Sequence, residues 1–415
     1  MTDDEDASSD DLTLSGSEIS YEYYSDCGED FEEPKFIFCR RFHPCFQPGS
    51  TPWGETKRLL STNLVGYIWA EIEYNNHIIT TAFFNADRDP IEISNESDFD
   101  LASLSNKAAL LANSETGYIS LRFHDSVIDS WDYDFGERIS CICLCETRVV
   151  IFLRRGIIFT LSVFGVPLSE SRESQNPLVT CVSNGDYLLT VRDSLDGLLF
   201  SIENVDTQQF LQRDCPLAVP NDAILVNIFF SDAGEPYIFD SSDILSTLVG
   251  WRTPGGAHWV PVLDGPYMPD ETAAYATWPF AIYQNQLICA KICPESCLPE
   301  IPIPEAINLE LKMPDIEGEE GSYLLHRAYF NQSQDLLGSQ LLSDDQLTEQ
   351  IDECQLEMDR SLLQQIQNAL EDRRFNLVLS IASLLNKSEA VGVAAKIAIR
   401  YNMTGIAEKI QDMLN

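Results

Sequence analysis

The size, composition and charge of the chain already exclude several classes of function. Its 415 residues are 44% hydrophobic, enough to bury a large core, and this length predicts two domains. Sixty-six acidic against 26 basic side chains give a formal net charge of −40, so broad contact with nucleic acid or anionic membranes is not expected. No apolar run in the sequence is long enough to cross a bilayer.

The N-terminal residues predict an acidic tail. Residues 1–33 carry thirteen Asp and Glu but neither Lys nor Arg, and the first residues lack the basic region and apolar core of a secretory signal. Like charges with few aliphatic neighbours predict disorder across residues 1–35. Without a signal, the twelve cysteines are interpreted as reduced thiols of an intracellular protein. Aromatic side chains interrupt the acidic run and leave a short docking motif as the alternative to a plain linker: Tyr21, Tyr23, Tyr24 and Phe31.

Residues 36–305 predict a large all-β domain. Short runs of apolar residues follow one another, separated by tight-turn sequences such as Asn184-Gly185-Asp186 and Asp196-Gly197. About 18 to 24 short strands fit between Gly49 and Cys293, and this number suggests a propeller or a large sandwich. At four strands per blade, the region holds about six blades of roughly forty residues.

The hydrophobic period becomes helical after a proline-containing linker at residues 306–318. Ser343 and Gln346 form a capping box, and the helix that they open carries an apolar stripe on one side. Further helical patterns continue to the last residue. Residues 319–415 therefore predict a bundle of about five helices.

Two helices of the predicted bundle are apolar almost all round, at residues 375–385 and 391–399. Either they form the central pair of the bundle, or one face stays open as a groove for an amphipathic helix from a partner protein. Helical spacing assigns seven residues to such a groove: Leu377, Ile381, Leu384, Ala395, Ile399, Ile406 and Ile410.

Catalytic and metal-binding motifs are missing from the sequence. There is no phosphate-cradling glycine loop, no His-Glu-x-x-His and no Gly-x-Ser-x-Gly, and the five histidines are far apart. Cys141, Cys143 and Cys145 alternate, so a strand would place all three on one face. Zinc sites use Cys-x-x-Cys loops instead, so we interpret these cysteines as core residues. The sequence predicts a protein that is not an enzyme and has no cofactor and no metal.

A series of short motifs resembles one known family. Residues 46–53 read Phe-Gln-Pro-Gly-Ser-Thr-Pro-Trp, and a strand-like segment follows at residues 64–68. Further matches occur in the same order at residues 101–105, 108–112, 129–131, 259–264, 278–279, 370–375 and 394–398. In this order they resemble the SepB domain of the chromosome-transmission-fidelity and acidic nucleoplasmic DNA-binding protein family, the replisome hub proteins. The resemblance runs from about residue 45 to the C-terminus. At residues 82–85, Ala-Phe-Phe-Asn matches the family's pattern only in part.

This resemblance implies a fold, an assembly and partners. It implies a six-bladed β-propeller with a C-terminal helical bundle, and homotrimers formed through the propellers. The bundles of such proteins bind short helical peptides and thereby couple the replicative helicase, through GINS, to DNA polymerase alpha–primase. The implied role is a non-enzymatic replisome scaffold, nuclear and chromatin-associated, with a part in sister-chromatid cohesion. No HMG box is present, so the DNA binding of animal relatives is not carried over.

Family members usually carry a WD-repeat propeller ahead of an acidic linker, whereas this chain begins in what resembles that linker. It is therefore expected to be a fragment or a shortened member.

Two other classes of function fit the same architecture. A propeller-plus-helices scaffold of the vesicle-coat or nuclear-pore kind needs no link to replication, although its helical part is usually much longer. A propeller enzyme is the third possibility, and polar side chains gathered in the central channel would favour it.

Overall fold

The computed structural model describes residues 43–73, 76–172, 176–265, 268–269, 274–275, 277–292, 298–303, 306–339 and 345–414. The predicted acidic tail at residues 1–35 and Ser343 of the predicted capping box lie outside these residues.

The first half of the β region forms three antiparallel sheets of four consecutive strands. The first sheet contains β1 (Lys57–Thr62), β2 (Gly66–Glu73), β3 (Asn76–Phe83) and β4 (Ile91–Ser94). The second contains β5 (Leu101–Leu104), β6 (Ala108–Ala112), β7 (Tyr118–Phe123) and β8 (Trp131–Asp134). The third contains β9 (Ile139–Leu144), β10 (Arg148–Leu153), β11 (Ile157–Ser162) and β12 (Pro167–Arg172).

The second half of the β region adds three more sheets of the same kind. The fourth contains β13 (Leu178–Asn184), β14 (Tyr187–Ser194), β15 (Gly197–Asn204) and β16 (Gln209–Pro216). The fifth contains β17 (Leu225–Phe230), β18 (Pro236–Asp240), β19 (Ile244–Val249) and β20 (His258–Asp264). A two-stranded ribbon of β21 (Met268–Pro269) and β22 (Ala274–Tyr275) follows. The sixth sheet contains β23 (Thr277–Tyr283), β24 (Gln286–Lys291) and β25 (Ile307–Glu310).

These six sheets are the blades of a β-propeller, which confirms the predicted fold class. The sequence predicts a linker at 306–318, but the structure pairs β25 with β24 as the third strand of blade 6. Polar residues obscured this strand because only alternate side chains of Ile307–Glu310 are half-buried. The second strand of blade 2, β6, is buried throughout, whereas the fourth strand, β8, is half-exposed.

Side chains at equivalent places in successive blades bond each blade to the next. Asn63 Nδ2 donates to the Leu104 carbonyl at 2.7 Å, and the Leu144 amide donates to Ser103 Oγ at 3.2 Å. Ser183 Oγ then donates to the Leu144 carbonyl at 2.9 Å. These contacts join residues about 40 positions apart, which matches the predicted blade length. They satisfy buried polar groups that the ladders inside each blade leave unpaired.

Residues 43–51, the leading segment, bond to the first strands of four blades. The Phe46 amide donates to the Val179 carbonyl of blade 4 at 2.9 Å, and the Gly49 amide donates to Asn227 Oδ1 of blade 5 at 3.1 Å. Gln47 Nε2 donates to the Ile142 carbonyl of blade 3 at 2.9 Å. The Gly49 carbonyl accepts a bond from Thr62 of blade 1, and its φ of +69° favours glycine. The leading segment therefore ties separate blades together.

Five α-helices follow in the described part of the chain, as predicted. They are α1 (Gly318–Ser339), α2 (Asp345–Glu371), α3 (Phe375–Ala382), α4 (Ser388–Arg400) and α5 (Thr404–Gln411). The two long helices α1 and α2 pack along each other. Helices α3 and α4 pack against the C-terminal half of α2, and α5 packs against α3 and α4.

Helix α1 is bonded to blade 5. Gln332 is buried, and its Nε2 donates to Thr247 Oγ1 at 2.7 Å and to the Leu248 carbonyl at 3.2 Å. Asp335 accepts bonds from the Arg252 amide at 2.8 Å and from Thr253 Oγ1 at 2.7 Å. Leu325 and Tyr329 of the same helix join the hydrophobic core of blades 5 and 6. The helices are therefore held on the propeller by polar bonds as well as by apolar packing.

Candidate peptide-binding surface

A buried carboxylate fixes the turn between α3 and α4. Asp359 of α2 is 2% exposed, and it accepts bonds from the Asn386 amide at 2.7 Å and the Lys387 amide at 3.0 Å. Asn386 Nδ2 donates to it as well, at 3.1 Å. These amides precede the first turn of α4, where backbone donors have no partner inside the helix. Asp359 thus sets the position of α4 relative to α2.

The seven residues predicted to line a groove fall into two groups. Ile381, Ala395 and Ile410 are 7%, 0% and 0% exposed, and they belong to the core that the short helices form with α2. Ile406 packs half-buried against the same core. The other three are exposed to 40–49%: Leu377, Leu384 and Ile399. The structure thus brings four predicted residues into the core and leaves three at the surface.

The exposed side of α4 combines apolar and basic residues. Val393 and Ile399 are 41% and 49% exposed, and Lys396 lies exposed one helical turn from both. Arg400 follows at the end of the helix, where a cation also faces the negative end of the helix dipole. The opposite side of α4 consists of small residues, because Ala394, Ala395 and Ala398 pack closely against the core.

Helix α3 presents a similar surface. Phe375 and Leu377 are 36% and 40% exposed and directly follow the exposed Arg373 and Arg374. Periodicity alone could not find Phe375 and Val393, because both helices are apolar on nearly every side. The usable signal was the placement of the cations: a side of a helix that carries Lys or Arg faces solvent.

The local charge differs from that of the rest of the protein. Residues 373–415 hold six Lys and Arg against three Asp and Glu, a net charge of +3. Residues 318–372, which contain α1 and α2, hold two Arg against twelve Asp and Glu, a net charge of −10. The three short helices are therefore a basic, partly apolar region in a strongly acidic chain.

The propeller channel contains a second candidate site, a cavity of about 410 Å³ lined by many polar side chains. Its serines bond to neighbouring backbone: Ser105 Oγ donates to the Ala108 carbonyl, and Ser231 Oγ accepts from the Glu235 amide. His124 Nε2 contacts the carbonyl of Ser105, at 3.0 Å, and so does not form a nucleophile–base pair with its hydroxyl. These side chains stabilise the blades.

The cysteines in β9 and directly after it are core residues, as predicted. Cys141, Cys143 and Cys145 are at most 2% exposed and pack with apolar side chains between blades 3 and 4. Among the described residues, no group of three or more His, Cys, Asp or Glu could hold a metal ion. The described helices also include none long and apolar enough to cross a membrane.

Fold and surface together define a propeller joined to a helical region with a basic, apolar surface. Two family models match the chain. The model described as the middle region of the minichromosome loss protein Mcl1 matches residues 44–314, and the C-terminal domain of the DNA polymerase alpha-binding protein Ctf4 matches residues 318–415. The first match covers more than half of the sequence. The chain belongs to the Mcl1 and Ctf4 family of proteins.

Individual relatives agree with this assignment. Minichromosome loss protein 1 of Schizosaccharomyces pombe is 29% identical, over 90% of this chain and 49% of its own length. The DNA polymerase alpha-binding protein of Saccharomyces cerevisiae is 27% identical, over 90% of this chain and 48% of its own length. The human WD repeat and HMG-box DNA-binding protein 1 is 24% identical, over 89% of this chain and 34% of its own length. The chain thus spans about half or less of the length of these relatives.

Proposed function

We propose that the chain is a replisome adaptor whose short helices bind amphipathic helical peptides of DNA polymerase alpha–primase and of GINS. The observation that carries the proposal is the exposed apolar and basic surface of α3 and α4 in a chain of this family. The name of the yeast relative supports polymerase alpha as one partner. The proposed location is the nucleus, on chromatin, and the proposed role extends to sister-chromatid cohesion.

The charge of the surface specifies the peptide. Val393 and Ile399 offer apolar contact to a guest helix with anchors at i, i+3, i+4 and i+7. Lys396, Arg400 and the pair Arg373–Arg374 favour a guest that carries Asp or Glu beside those anchors. One such peptide is expected to bind with a dissociation constant near micromolar, about −8 kcal/mol.

Assembly would strengthen this binding. We propose that three copies associate through their propellers, so that one particle offers three peptide surfaces. A partner with several peptides would then bind about 10² to 10⁴-fold more tightly than a single peptide, and different partners could be held together. The adaptor would need no catalytic residue.

The binding site can be tested with purified DNA polymerase alpha–primase of the same organism. Ile399→Glu places negative charge on the exposed side of α4 and is expected to weaken binding about tenfold or more. Leu195→Glu is the matched control, because Leu195 is 96% exposed on the propeller. Equal binding by the wild-type chain and a folded Ile399→Glu variant would place the site elsewhere.

A coat or nuclear-pore scaffold is the alternative function. It would share the propeller and the helices but would not bind polymerase alpha–primase. The same binding measurement therefore separates the two, because a coat-type scaffold predicts no binding by the wild-type chain.

A further inference from the structure

Several cysteine thiols meet where the leading segment contacts blades 3 and 4. Cys141 of β9 and Cys181 of β13 are fully buried, and their Sγ atoms are 3.3 Å apart. Cys45 is exposed on the leading segment, and its thiol donates to the Ser140 carbonyl at 3.4 Å. It also lies within hydrogen-bonding reach of the Cys141 thiol. The three thiols thus form a connected row from solvent to the interior.

Neighbouring thiols of this kind can be oxidised to a disulfide. The described part of the chain holds no cluster with the geometry of a metal site, so coordination does not explain the contact. Buried cysteines are usually inert because oxidants cannot reach them. Here the exposed Cys45 offers an oxidant a point of attack next to a buried pair.

The two buried thiols differ in reactivity. Burial by itself would raise the pKa of Cys141, but hydrogen bonds from Cys181 and Cys45 oppose it and lower that pKa below its usual range. Burial and the contact with Cys141 raise the pKa of Cys181. Cys141 therefore has the most thiolate character of the buried pair, and thiolate is the nucleophile in disulfide formation.

We propose that a hydroperoxide oxidises Cys45 and that the oxidation passes through Cys141 to end as a Cys141–Cys181 disulfide between blades 3 and 4. Cys45 gives up its thiol proton and its sulfur attacks the peroxide; the O–O bond breaks, Cys45 becomes a sulfenic acid, and the departing oxygen takes up that proton and leaves as water or an alcohol. The Cys141 thiolate attacks this sulfur and releases one water, which forms a Cys45–Cys141 disulfide. Cys181 then attacks Cys141 and returns Cys45 as a thiol.

Overall, two thiols give one disulfide, and one hydroperoxide is reduced. The last exchange is expected to be the slow step, because burial and the contact with Cys141 raise the pKa of Cys181. The product would join two blades that the leading segment already bridges through Phe46 and Gln47. A cross-link of this kind constrains the unfolded chain, so the oxidised protein is expected to melt at a higher temperature than the reduced protein.

Peptide mapping of the folded, reduced full chain after treatment with hydrogen peroxide tests the proposal. Samples are quenched with acid, alkylated and digested at increasing times. The Cys45–Cys141 disulfide is expected first and the Cys141–Cys181 disulfide later. Cys45→Ser should slow the later product about tenfold or more, since the oxidant then has no exposed thiol in the row. Cys181→Ser should stop the reaction at Cys45–Cys141.

Cys215→Ser is the control, because Cys215 is half-buried on β16, outside the row, and its loss should change neither product. Thermal melting of each reduced variant verifies folding before the reaction. Oxidation of Cys45 to the sulfinic acid with no Cys141–Cys181 disulfide would overturn the proposal. So would an unchanged rate of that disulfide in folded Cys45→Ser.

Discussion

At the scale of single residues, Asp359 has a larger structural role than its acidic surroundings suggest. The region around it is crowded with carboxylates, and most of them face solvent. Asp359 instead accepts hydrogen bonds from two backbone amides of the α3–α4 turn, where water would otherwise accept them. Its place in the sequence gave no sign of this role, because an Asp on a helix is normally expected on the solvated face.

Asp359→Ala is expected to destabilise the protein by about 1–3 kcal/mol, because it removes the acceptor of two partly buried backbone amides. Asp352→Ala is the matched control on the same helix. Asp352 is 66% exposed and pairs with Lys387 at 3.6 Å, so its loss should cost about 0–1 kcal/mol. Denaturant unfolding of both variants measures the difference, and equal stability of the two would contradict the role of Asp359.

Glu235 has an unusual titration because it is buried beside blade 5. Burial raises its pKa to about 7, although Arg252 and Trp251 both donate to its carboxylate and oppose the shift. The unfolded value is lower, near 4.5. Between these two values the folded state holds more protons than the unfolded state. Stability from this group is therefore present at low pH and is lost as the pH rises from about 4.5 to about 7.

The difference in melting temperature between the wild type and Glu235→Gln isolates this group. The wild type is expected to lose stability relative to Glu235→Gln as the pH rises from 5 to 8. The Gln variant removes the titration, while Arg252 stays charged in both proteins, so the remaining acidic residues affect both alike. A difference that does not change with pH would show that Glu235 is ionised throughout this range in the folded protein.

At the scale of elements, α1 connects the helices to the propeller. Gln332→Ala removes a buried donor to Thr247 and Leu248 and is expected to cost about 1–3 kcal/mol. Gln334→Ala, two positions away and exposed, should change stability by less than about 0.5 kcal/mol. Thermal unfolding of the full chain measures both. A neutral Gln332→Ala would mean that the apolar contacts of α1 alone hold it on blade 5.

The sequence predicted which segments form strands and which form helices, but not which side of each helix is buried. Alternation and turn residues predicted the short strands, because a strand that is buried on one or both faces leaves a strong pattern. The number of blades followed from the number of strands and the length of the region, at four strands per blade. The predicted linker at 306–318 contains β25, which the sequence did not reveal as a strand because it is short, half-exposed and separated from β24 by a proline-rich stretch. A short, half-exposed strand that completes a sheet by pairing with an earlier part of the chain has little signal in its own residues.

The seven predicted groove residues show the same limit of sequence-based prediction for single side chains. Leu377 and Ile381 are one turn apart on α3, yet the first is 40% exposed and the second 7%. Helical spacing predicts which residues share a side, but packing against α2 decides which side is covered. Ala395 illustrates this: it was assigned to the groove, and its small side chain is what allows α4 to pack closely against the core.

At the scale of the whole molecule, the proposed trimer has a testable surface. Exposed apolar residues line one depression of about 890 Å³ on blades 1 to 3: Ile91, Ile128 and Phe164. Light scattering of the full chain is expected to give three copies per particle, and Phe164→Asp should dissociate it because charge disfavours apolar contact. Leu195→Asp, an isolated exposed site, should leave the trimer intact. A monomeric wild type at tens of micromolar would contradict the assembly.

The adaptor function itself is tested most directly by bridging. DNA polymerase alpha–primase is immobilised, and purified GINS is passed over it with and without the wild-type chain. We predict that GINS is retained only when the chain is present and that the folded Ile399→Glu variant does not retain it. Retention of GINS without the chain, or none with it although each partner binds the chain alone, would contradict the account.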